Sequence, residues 1–112
     1  VINVTRLLHV ALLVSDLERA KNFYERVLGL KEIKRASFNF PGTWYDLGHG
    51  LQLHLMAIKD PKAPVPEDLN RDRHISFAIE DYEDTMARLK QLGIKFRESR
   101  SGMKQIFFRD PD

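Results

Sequence analysis

The chain contains a second, shorter copy of its own opening. Residues 8–32, LHVALLVSDLERAKNFYERVLGLKE, align with residues 73–96, RHISFAIEDYEDTMARLKQLGIKF, so that His9 falls on His74, Val14 on Ile79, Asp16 on Asp81 and Glu18 on Glu83 at one constant offset of 65. After a one-residue gap, Leu28, Gly29 and Lys31 fall on Leu92, Gly93 and Lys95. A single matched His or Gly would carry nothing, but here the apolar pattern and the helix stop keep register together. A duplicated unit is the first constraint on the fold.

Each copy opens on a short apolar run, 7–14 or 74–79, rich in the branched residues that suit a strand. A helix follows. In the first copy Ser15 or Asp16 supplies the cap, with Glu18 three residues after Ser15 at capping-box spacing, and Leu17, Ala20, Phe23, Val27 and Leu28 form an apolar stripe that Gly29 ends. In the second, Asp81 caps, Tyr82, Met86, Leu89 and Leu92 make the stripe, and Gly93 stops it. Past Gly29 come three strand candidates, 33–40, 43–47 and 51–57; past Gly93 there are two, 95–99 and 104–109.

The repeating unit is therefore strand, helix, strand, strand, strand, with the last strand of the second copy missing from the sequence. The expected organisation is one α+β domain over 1–112: module one at 7–57, a joining loop at 58–73 with Pro61, Pro64 and Pro66, and an incomplete module two at 74–112. By the offset, the second copy should extend about ten residues past Asp112, beginning with Gly.

Composition removes several kinds of function. Eighteen Lys and Arg stand against 16 Asp and Glu, a net charge of +2 that gives no excess to hold a polyanion, so no nucleic-acid partner is expected. No cysteine is present, which excludes a disulfide framework, a thiolate zinc site and a Cys nucleophile. No apolar run approaches the roughly 18 residues that span a bilayer, and the first residues show no signal-type pattern, so a cytoplasmic protein without a membrane partner is expected.

Strand alternation decides which histidines share a face. In the first strand His9 sides with Ala11 and Leu13, while Leu8, Val10, Leu12 and Val14 face the other way, toward the helix. His74 sides with Ser76 and Ala78. In the last strand of module one Gln52, His54 and Met56 lie opposite Leu51, Leu53 and Leu55. Three imidazoles, His9, His54 and His74, are thus offered from three strands, two of them at equivalent positions of the repeat. Such a set suits one divalent ion of Zn, Ni, Co, Mn or Fe. His49, between Gly48 and Gly50, reads as an exposed turn residue.

These segments carry a family resemblance. The strand and helix LHVALLVSDLERAKNFYERVLGL, the strand GLQLHLMA, the segment DRHISFAIED and the closing FFRDPD occur in the order and spacing of the vicinal oxygen chelate superfamily. That superfamily includes glyoxalase I, methylmalonyl-CoA epimerase, extradiol dioxygenases, and fosfomycin and bleomycin resistance proteins. The resemblance implies two βαβββ modules that form a cupped mixed β-sheet around a divalent metal. By position it implies His9 and His74 as ligands, with a third on His54 or, if the register slips by two, on Gln52. The family's fourth ligand, a Glu just past the DPDG turn, would lie beyond Asp112.

The resemblance also implies a small-molecule substrate that chelates the metal through vicinal oxygens, and it favours homodimers. Phe38, Trp44, Tyr45 and Phe107 are the side chains available to line its pocket. Arg100, one of the bases Lys95, Arg97, Arg100, Lys104 and Arg109 that oppose only Glu98, is a candidate for an anionic substrate group. Three functional classes follow: a glyoxalase-like lyase or isomerase, an extradiol-type dioxygenase using Fe(II), and a metal-free ligand-binding protein of the antibiotic-resistance type. Three inward imidazoles argue against the third.

Overall fold

The computed structural model describes residues 1, 3–58, 74–99 and 102–112. By internal contacts the chain divides into two compact units, Val1–Lys62 with Pro111–Asp112, and Ala63–Asp110.

The first unit is the complete βαβββ module. In chain order it holds β1 (His9–Leu13), α1 (Leu17–Arg26), β2 (Lys31–Ile33), β3 (Gly42–Asp46) and β4 (Gln52–Met56). The strands form one mixed sheet in the order β1-β4-β3-β2, with β1 parallel to β4 and the other pairs antiparallel. Alternation is strict in β4: Leu53 and Leu55 are fully buried, whereas Gln52, His54 and Met56 are half-buried on the other face. The buried face continues into Thr43 and Tyr45 of β3 and meets Ala20, Phe23 and Tyr24 of α1. Burying each of these leucines is worth about 1.5–3 kcal/mol, so the register that hides them also fixes which side chains are left on the open face.

Helix α1 is capped by Asp16, whose carboxylate accepts the Arg19 N–H at 3.0 Å. Ser15, the other capping candidate, is engaged elsewhere: its N–H and Oγ–H both donate to Asp112 Oδ1. Arg19 joins the same cluster through Ser15 Oγ at 2.8 Å, so the last residue of the sequence is fastened at the start of α1. The second unit holds α2 (Tyr82–Gln91) and an antiparallel pair, β5 (Phe96–Glu98) and β6 (Ile106–Phe108). Asp81 caps α2 as expected, accepting from Asp84 N–H at 2.9 Å. Its other end closes with Ile94 N–H to Leu89 O and Gly93 N–H to Lys90 O, with Gly93 at φ +71°.

The structure departs from the sequence expectations at three points. The strand expected over 33–40 is shifted back to Lys31–Ile33, the stretch that finds a partner in β3; beyond it the chain turns into an aromatic segment. Leu8, expected on the helix side, stands before β1 and is exposed, because alternation governs a side chain only once the strand has begun. The run 74–79 forms no strand, and Phe77 and Ile79 stay exposed. In module one the equivalent strand, β1, is held by β4 alone, and no strand follows β6 among the described residues. The joining loop falls almost wholly outside the described residues.

Candidate functional site

The open face of the first sheet gathers three rings in a stack. Trp44 of β3 lies directly across from His54 of β4 in register, and their rings stack at 4.1 Å between centroids and 3° between planes. On the other side of His54 the register partner is Ala11, whose methyl leaves space that His9, two residues earlier in β1, fills with its ring. His9 and His54 stack at 4.2 Å and 14°. The order across the sheet is therefore indole, imidazole, imidazole.

Gln52 completes the group. It pairs in register with His9 and shares the face of His54, and the His54 Nε2···Gln52 Oε1 distance is 2.8 Å. Because an amide oxygen only accepts, the bond requires the ring proton on Nε2 and leaves the Nδ1 lone pair unspent. His54 is held below its ordinary pKa of 6.5, first by burial and then by repulsion from His9 and Arg35. It is thus a neutral imidazole at neutral pH, the form that binds a metal ion.

These side chains line a cavity of about 520 Å³, with Phe38 and Leu8 as apolar walls and Gly50 at the rim. Gly50 belongs to a turn in which Gly48, His49 and Gly50 all have positive φ, His49 at +53°. That turn carries the exposed His49 away from the stack and leaves Leu51 to enter β4, consistent with the turn reading.

The other candidates are distributed as follows. Tyr45 is not a pocket residue: parity puts it on the opposite face from Trp44, fully buried, with its hydroxyl donating to Glu25 Oε2 at 2.9 Å, and burial raises its pKa. His74 and Phe107 belong to the second unit, where Phe107 lies under the Arg97 guanidinium at 5.0 Å. Arg100 lies outside the described residues. Among the described residues no three His, Cys, Asp or Glu form one metal-holding group. The donor set on the cup face is two imidazoles and an amide oxygen, a chemistry that fits Zn, Ni, Co, Mn or Fe.

Sequence reading did not single out Arg35. Its guanidinium lies over the rings of Phe38 at 5.0 Å and Phe40 at 4.9 Å, and Nη2–H donates to Phe40 O at 2.8 Å. The available signal was a cation embedded in an aromatic segment, Arg35-Ala36-Ser37-Phe38-Asn39-Phe40.

Comparison with known proteins agrees with this architecture. Residues 6–112 match the model of a family described as the Glyoxalase/Bleomycin resistance protein/Dioxygenase superfamily. The chain is 36% identical to Glyoxylase I 4 of Arabidopsis thaliana, over 99% of its own length and 68% of the relative's. It is 32% identical to the metallothiol transferase FosB of Lysinibacillus sphaericus, over 93% of this chain and 74% of that protein. Among solved structures, a glyoxalase family protein from Bacillus anthracis superposes with a TM-score of 0.78 at 18% identity, covering 97% of this chain and 88% of the other. A fosfomycin resistance protein, FosX, from Listeria monocytogenes, in complex with Mn(II) and 1S,2S-dihydroxypropylphosphonic acid, gives 0.72 at 22% identity, over 96% and 85%.

Proposed function

The chain belongs to the Glyoxalase/Bleomycin resistance protein/Dioxygenase superfamily, and from that premise we propose that it is a cytoplasmic metal-dependent lyase or isomerase of the glyoxalase type. Its substrate is a small molecule offering two vicinal oxygens to one divalent ion, held by His9, His54 and His74 with Gln52 as the alternate to His54. The observation that carries this reading is the stack of His9 on His54 beside Gln52, two imidazoles and an amide on one cavity wall. His74 enters by its repeat equivalence to His9.

When bound, the ion supplies Lewis-acid polarisation of the substrate oxygens. The chain's own residues do the rest. Burial keeps His54 neutral and ready to ligate, Gln52 fixes its ring by the Nε2 hydrogen bond, and Trp44 locks the ring plane from behind. Phe38 and Leu8 supply apolar walls that thin the water around the reacting oxygens.

Metal analysis of protein purified without added metal, followed by titration, tests the reading. One ion per chain is expected, lost on replacing His9, His54 or His74 with Ala and kept in His49→Ala. Metal retained equally in all four variants would sink the ligand assignment. Iron(II) with oxygen consumption on a catechol would move the chain to the dioxygenases. No metal, with tight binding of a small molecule, would make it a binding protein.

A further inference from the structure

His9 and His54 are stacked too nearly parallel to share one metal ion. The lone pair of an imidazole nitrogen lies in the ring plane, so an ion that it binds stands in or near that plane, about 2.0–2.1 Å from the nitrogen for Zn. The two rings are 4.2 Å apart between centroids and 14° apart in plane. Stacked atoms keep roughly 3.5 Å between them, and planes so nearly parallel do not converge within the length of a metal–nitrogen bond. An ion in line with His9 therefore lies well outside the plane of His54. Turning His54 to meet it would give up its stack on Trp44, at 4.1 Å and 3°, and its bond to Gln52.

Gln52 has no such conflict. It is the direct register partner of His9 across the β1–β4 pair, whereas His54 faces Ala11. Cross-strand neighbours of this kind hold their Cβ atoms about 4.5–5.5 Å apart, close enough for their side chains to meet at one ion. The Gln52 oxygen has two lone pairs and spends one on the His54 Nε2–H at 2.8 Å. The other remains for an ion. The bond also fixes the sense of the amide, because an NH2 group in the place of the oxygen would meet the same N–H donor.

We infer that His54 is a positioning residue and not a ligand: sandwiched between Trp44 and His9, it holds the Gln52 amide so that its oxygen is the donor offered beside His9. This role rests on the proposed function, which names His54 with Gln52 as its alternate, and the stack decides between the two.

Nitrogen–proton correlation spectra of the histidine-labelled chain, recorded with and without one equivalent of Zn(II) and assigned through the single His variants, test it. Zn(II) is expected to move the ring nitrogens of His9 to coordinated positions, while those of His54 keep the pattern of a neutral ring protonated at Nε2. A coordinated nitrogen on His54 overturns the role and leaves the proposed function standing. No uptake of Zn(II), Ni(II), Co(II), Mn(II) or Fe(II) overturns both. Calorimetric affinities for the tightest-binding of these ions read the same point without a spectrum. His54→Ala should weaken binding about 10–100-fold, and His54→Gln, whose side-chain N–H can replace the Nε2–H donor, should recover most of the loss. Adding His54→Ala to Gln52→Ala should cost nothing further, because His54 acts through Gln52. Equal losses in His54→Gln and His54→Ala, or losses that add in the double variant, overturn the role.

Discussion

His54 has an indole on one face and an imidazole on the other, an arrangement that leaves only its edge for chemistry. That edge holds one nitrogen bonded to Gln52 and one with a free lone pair, so a small change in where Gln52 points alters what His54 offers to a ligand. Tyr82 shows the opposite use of a titratable group. Its hydroxyl donates to Glu98 Oε1 at 2.7 Å, and this bond, more than burial, pushes its pKa up to about 12 from 10.0. Between these values the unfolded chain has lost a proton that the folded one keeps. Stability contributed by the pair is therefore present below pH 10 and is lost as the pH rises toward 12. An absorbance titration of phenolate should show a late step near pH 12 that Tyr82→Phe removes; an unchanged curve in the variant would refute the assignment.

The elements differ in how far their neighbours in sequence decide them. Both helices were legible because caps, stripes and glycine stops are local, and Asp81 and Gly93 act as their positions in the sequence predict. At α1 the sequence left Ser15 and Asp16 both open, and only the folded chain separates them, because Ser15 is held by Asp112, 97 residues away. Asp16→Ala should cost about 1 kcal/mol in chemical denaturation, and Ser15→Ala, which removes only an exposed tether, should cost less. The reverse order would mean that Ser15 is the working cap. Strands are less legible, since a strand exists only where a partner pairs with it. Lys31–Ile33 pairs with β3, while 34–40 and 74–79, equally plausible by residue type, do not form strands. Parity survived better than boundaries: it put Gln52 and His54 on the cup face and Leu53 and Leu55 in the core. The same rule, applied to Tyr45, would have removed it from the pocket list.

In the molecule as a whole, β1 and β2 are the edges of the four-stranded sheet, and both strands of the β5-β6 pair carry a free edge among the described residues. Open edges of this kind invite pairing with another chain. A homodimer is the expected state, and light scattering across micromolar concentrations checks it; a monomer throughout would count against it. The repeat was legible at this scale because a duplication leaves its record in many residues at once. The packing of Arg35 was not, since it depends on Gly42, Phe38 and Phe40, which only the fold brings together. Trp44 has a consequence of a different kind. It is the only tryptophan in the sequence, and its ring is stacked on His54. The tryptophan emission of this chain therefore originates at the wall of the cup, so quenching or a spectral shift of that emission on adding a metal ion or a ligand reports from that one place.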